Sequence, residues 1–157
     1  MHPGGPAWAA ALEGGPLAEA IRSASWAYPI CNVLHVLGVG LLLGAVLLAD
    51  LRVLGAGAAL PLGPFLRLCN WPIRIGIALA LPTGILLFVA DAAAQWANPA
   101  FRVKLALVAA GLANGLLFVL AWRRPPLAPS ATMRAQALCS LLLWPVAAAV
   151  GRLVAYF

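Results

Sequence analysis

Residues 27–49, "AYPICNVLHVLGVGLLLGAVLLA", decide the fold. No charged residue occurs between Arg22 and Asp50, and a helix of about 20 apolar residues, each rising about 1.5 Å, crosses the hydrocarbon of a bilayer. The stretch is long enough to cross once. Three others qualify, at residues 73–94, 103–122 and 135–156. The expected class is all-α, an integral membrane antiparallel four-helix bundle over residues 26–157, preceded by an N-terminal interfacial segment over residues 1–25.

Composition agrees with this reading. Of 157 residues, 64% are hydrophobic and 9% are charged, against about 25% charged in soluble domains. Ten Lys and Arg stand against four Asp and Glu, but no basic cluster exceeds the Arg123-Arg124 pair and no nucleic-acid-reading module is present, so no nucleic-acid partner is expected. Cys31, Cys69 and Cys139 are odd in number and lack CxxC spacing, which points to apolar packing rather than a disulfide framework or zinc.

The opening, "MHPGGPAWAAALEGGPLAEAIRSAS", lacks the basic start and short apolar core of a signal peptide. Its prolines and glycine pairs predict an irregular beginning. "PLAEAIRSA" then reads as a short amphipathic helix on the membrane surface, with Leu17 and Ile21 on one face. Between the first two spans, "GAGAALPLGPFLRLCNWP" reads as a long interfacial loop anchored by Trp71, and "RRPPLAPSATMR" as an exposed turn. "LPTG" at residues 81–84 places a proline inside the second span, where Thr83 or a neighbouring helix can use the carbonyl that Pro82 leaves without a donor. Trp26, Trp71, Trp96, Trp122 and Trp144 read mostly as an interfacial belt.

Arg52, Arg67, Arg74, Arg123, Arg124 and Arg134 lie on one side of this arrangement, and Arg22, Arg102, Lys104 and Arg152 on the other. Six against four places the first and third loops in the cytoplasm and both termini in the periplasm of a bacterial inner membrane. His35 then lies about 12 Å below the outer surface. Lys104 and Arg152 enter the same half of the bilayer.

An ionisable group inside a span is expensive and usually faces a bundle interior or a cavity. Tyr28, Asn32, His35, Val39 and Leu42 share one stripe, with Gly40 and Gly44 about 140° or more away from His35. "GLLLG" at residues 40–44 and "GLANG" at residues 111–115 match the GxxxG close-packing pattern, which points to a homo-oligomer or a subunit of a membrane complex. His35 has several readings. It can be a neutral imidazole bonded to a neighbouring helix, for instance to Asn114 in the third span. It can be an axial ligand of haem b, with Asn32 and Asn114 in the pocket and Lys104, Arg152 or Arg22 neutralising propionates. It can also ligate copper with Cys31 four residues earlier, or relay protons. Met1 and Met133 are the only methionines, so a thioether copper ladder is absent, and His2 is the only other imidazole. No Ser/His/Asp set, Walker loop or HExxH motif supports catalysis by the chain alone. Asp50 with Arg52 or Arg74, and Asp91 with Lys104, read as interfacial ion pairs.

"SWAYPICNVLHVLGVGLLLGAVLLADLRVLG" at residues 25–55, "LPTGILLFVADA" at 81–92, "NPAFRVKLALVAAGLANGLLF" at 98–118 and the terminal "GRLVAYF" resemble an uncharacterised bacterial family of small four-helix inner-membrane proteins. More distantly, "LHVLG" in a first span and "FxxKL" opening a third are similar to the copper-resistance protein D superfamily and to HemJ-type membrane proteins. Those resemblances imply copper handling and haem-associated redox chemistry, carried here by His35, Lys104, Asn114 and Arg152. In the family a histidine often follows the third-span Asn by five residues. This chain has Val119 there, which departs from a two-histidine haem site.

Overall fold

The structure, a computed structural model, describes residues 5–122 and 128–154. His2, the Arg123-Arg124 pair and the last three residues of "GRLVAYF" lie outside them. Seven helices follow in order among the described residues: α1 Ala7–Glu13, α2 Pro16–Ser23, α3 Ala27–Leu54, α4 Leu62–Ala90, α5 Ala92–Ala97, α6 Pro99–Ala121 and α7 Ala131–Leu153. Only α3, α4, α6 and α7 are long and apolar enough to cross a bilayer. The protein is an all-α membrane helical bundle.

The helices begin and end where local chemistry dictates. Gly55 ends α3 with φ +116°, a left-handed conformation that glycine adopts without a Cβ penalty. Pro99 occupies the first turn of α6, where its missing N–H costs nothing, and the Asn98 side chain accepts from Ala100 N at 2.9 Å. Ser130 caps α7 through Met133 N at 3.2 Å.

Two expectations need correction. The stretch read as a long interfacial loop is helical from Leu62 onward, because Pro61 precedes the helix, Pro64 falls in its first turn, and the helix continues through Pro72 and Pro82. From Ala7 on, the leading segment is not irregular either. Pro6 starts α1, Gly14 and Gly15 separate it from α2, and Pro16 is the first residue of α2. On α2 the buried residues are Ala18 and Ile21, while Leu17 is 51% exposed, so the buried face is one residue removed from the expected one.

α3 is the hub of the bundle. It packs against α4 and against α7, and α7 packs in turn against α6. At the α3–α4 contact the backbones themselves touch. A Cβ on Gly38 would stand 2.7 Å from Ala80 N and 3.0 Å from Gly76 O, and one on Gly76 would stand 2.7 Å from Leu42 N. Neither position has room for any side chain. Gly111 in α6 makes a comparable notch for Trp144 of α7, whose ring would lie 3.0 Å from an added Cβ. Trp144 is thus buried in the bundle and not part of an aromatic belt. Gly40, Gly44 and Gly115 behave differently: a Cβ at each meets nothing within 4 Å. The GLLLG stripe faces outward from the chain.

At the end where α3 turns into α4, Val53, Leu62, Met133 and Ala137 form an apolar cluster with Leu66, Phe118 and Trp122 around it. At the other end α1 and α2 cover the end of α4 and α5. Glu13 accepts from Ala93 N at 2.9 Å, Arg22 donates to Ala90 O at 3.0 Å, and Trp8 packs edge-on to Trp96. These contacts tie the leading segment to the bundle.

Backbone contact at Gly38 and Gly76 makes a direct prediction. Gly38→Leu or Gly76→Leu lowers stability by at least about 1–3 kcal/mol through overpacking. Gly40→Leu leaves the dilute, detergent-solubilised single chain unchanged, as read by thermal unfolding.

Candidate functional site

His35 projects from the first half of α3 toward α4, about two turns in from the helix start. It reaches α4 because two features of that helix accommodate it. Gly84 leaves a notch in which the imidazole rests: a Cβ there would lie 2.9 Å from Cε1 and 3.2 Å from Nδ1. Pro82 has no N–H to offer Ala78 O, and the carbonyls next in the chain receive side-chain donors. Thr83 Oγ1 donates to Leu79 O at 2.5 Å, and His35 Nδ1 lies 2.9 Å from Ala80 O. The carbonyl that Pro82 frees is Ala78 O, whereas Thr83 and, from the neighbouring helix, His35 bond the next two, Leu79 O and Ala80 O, so the expected donors act one and two residues further along the helix.

The bond to Ala80 O fixes the imidazole. A carbonyl can only accept, so Nδ1 carries the proton. Thr83 Oγ1, 3.3 Å from Nδ1, gives its own proton to Leu79 O and offers Nδ1 only a second acceptor. Nε2 is therefore the nitrogen whose lone pair remains for a proton or a metal ion.

Lys104 enters from the start of α6, at the same end of the bundle as His35. Its stem lies against α7, where a Cβ on Gly151 would be 3.3 Å from Cε, and its ammonium stands 5.9 Å from the centre of the Phe101 ring. Phe101 stacks on Phe88 of α4 at 5.4 Å, and Phe88 meets Trp8 at 6.3 Å. All four long helices thus contribute at this level: His35 from α3, Thr83 and Gly84 from α4, Lys104 from α6 and Gly151 from α7.

The other residues singled out by sequence are placed differently. Asn114 donates to Gln136 O at 3.1 Å, near the start of α7 and toward the opposite end of the bundle, so it is not the partner of His35. α6 starts at Pro99, on the His35 side, and fifteen residues carry Asn114 past the middle. Asn32 is exposed on α3 and Arg152 is exposed beside Gly151, while Cys31 is partly exposed one turn before His35. Among the described residues no three His, Cys, Asp or Glu side chains gather to hold a metal ion. Sequence reasoning missed Gly84 and Ala80. "LPTG" signalled a break in carbonyl bonding but not which helix would supply the donor.

Compared with protein families, with curated proteins and with solved structures, the chain matches none.

The notch and the ring are one unit, which a double-mutant cycle reads. Gly84→Ala is expected to destabilise the protein by about 1–3 kcal/mol by displacing the imidazole. In a His35→Ala background the same change is nearly neutral, as measured by unfolding in mixed micelles.

Proposed function

We propose that this protein is a small subunit or anchor of a complex in the bacterial inner membrane, with both termini periplasmic, and that His35 is an axial ligand of haem b. The observation that carries this reading is the Nδ1 bond to Ala80 O. It holds the ring in the tautomer that a metal-ligating histidine uses, with a backbone carbonyl as the outer partner and the lone pair left on Nε2. His35 fits one axial position, and among the described residues no second imidazole faces it. An iron held here would be ligated on one side, would use a non-histidine second ligand, or would sit between two copies of the chain.

The haem would supply one-electron transfer to a partner protein. This chain's residues perform the remaining tasks. Ala80 O and Thr83 orient the ring. Lys104 and Arg152, at the same end of the bundle, supply positive charge for propionates, and the outward Gly40 and Gly44 stripe gives a second copy or partner helix a close approach.

A second reading has its own support. The fit of His35 into the Gly84 notch also describes a clamp that joins α3 to α4 without any cofactor, in a purely structural or assembly subunit. Copper bound through His35 and Cys31 is a third reading, supported only by their four-residue spacing on one helix face.

A reduced-minus-oxidised visible spectrum, with metal analysis of the same sample, separates these readings. The haem reading expects stoichiometric haem bands in native membranes and after gentle purification, absent in His35→Ala and weakened in Lys104→Ala. A folded, colourless and metal-free protein establishes the clamp. Stoichiometric copper without haem establishes the third reading.

A further inference from the structure

Asp50 lies four residues before the end of α3, in the half of the bundle away from His35. It is 8% exposed. Its carboxyl lies beside the hydroxyl of Ser140 of α7, and among the described residues Oδ2 has no hydrogen-bond partner. An ionised carboxylate in this position would be buried with a single hydroxyl for company, an expensive arrangement when no cation pairs with it.

The expected ion pair with Arg52 is not formed. Residues two apart on a helix do not face each other, and the Arg52 guanidinium is turned to the loop, where it donates to Leu60 O and Ala58 O. On α4, Arg67 and Arg74 are exposed, and the titratable Cys69 is buried without charge. On α7, Arg134 is exposed and Ser140 is the only polar contact. The charged residues of α6, Arg102 and Lys104, are at its far end. Among the described residues no cation is in salt-bridge range of Asp50.

Metal cations require several oxygen ligands. Here one carboxyl and one hydroxyl converge, and the surrounding backbone carbonyls are used by their own helices. A proton is the one cation that a single oxygen can hold. We propose that Asp50, seated against Ser140, is a proton-binding site at the loop end of the bundle, holding its proton on Oδ2 in the resting fold and exchanging it with water from the α3–α4 loop side. Asp50 lies about 6 Å from the helix end, with the apolar cluster of Val53, Leu62, Met133 and Ala137 on that side, so exchange requires this end of the bundle to open. This site is independent of the His35 reading and uses none of its residues.

The test is a difference infrared spectrum of the full chain in lipid vesicles at neutral pH, wild type minus Asp50→Asn. The expected result is a C=O stretching band of a protonated carboxylic acid in the wild type, moved to lower frequency on transfer to D2O. Ser140→Ala should move the same band to higher frequency by removing its hydrogen bond, and this variant gives the reading if Asp50→Asn does not assemble. A difference confined to carboxylate stretching bands, or a wild type whose band Ser140→Ala leaves in place, would overturn the assignment. A protonated band unmoved by D2O would overturn exchange.

Discussion

The close passage of α3 over α4 at Gly38 and Gly76 is the contact on which the remaining structure depends. Lipid tails are as apolar as leucine, so helices in a bilayer gain little from hiding apolar surface and associate through packing and interhelical hydrogen bonds. A glycine on each side lets the two backbones meet, with the position of each Cβ already taken by the other helix. At this separation the imidazole of His35 spans the remaining gap, enters the Gly84 notch and reaches Ala80 O. A wider separation would leave the ring without its acceptor.

The hub position of α3 then distributes polar chemistry to two ends. Toward the chain's beginning and end, its His35 meets α4 while Lys104 and Gly151 close the same level from α6 and α7. Toward the α3–α4 loop, its Asp50 meets Ser140 of α7, and the apolar cluster around Val53 and Met133 lies beyond. Arg52 binds the loop carbonyls and so leaves the acid without a counter-charge among the described residues. His35 and Asp50 therefore sit in different surroundings: one has its ring fixed by a backbone acceptor and a lone pair to offer, the other has an oxygen with no partner among the described residues.

Much of this was legible in the sequence. Hydropathy alone placed four spans and marked His35 as exceptional, because each signal belongs to one helix and needs no knowledge of neighbours. Partner identity was not legible. Of the GxxxG glycines only Gly111 meets another helix, while the α3–α4 contact is made by Gly38, Gly76 and Gly84, which lie on two helices and share no short pattern. Asn114 reads as a candidate partner of His35 in the sequence, yet fifteen residues of α6 carry it past the middle of the bundle to the backbone of Gln136. Pro64 and Pro72 look like breakers, yet one lies in a first turn that needs no N–H and the other is carried within a continuous helix. Asp50 and Arg52 look like a pair on paper, and helical geometry turns them apart.

The central claim is that Ala80 O holds the Nδ1 proton of His35 and leaves Nε2 with its lone pair. Nitrogen-15 NMR of histidine-labelled protein in lipid, with His2→Gln to remove the second imidazole, reads this directly. The account predicts a protonated Nδ1 and an unprotonated Nε2 in the cofactor-free protein, with the Nδ1 signal shifting in Gly84→Ala. A protonated Nε2 beside a bare Nδ1 would contradict it.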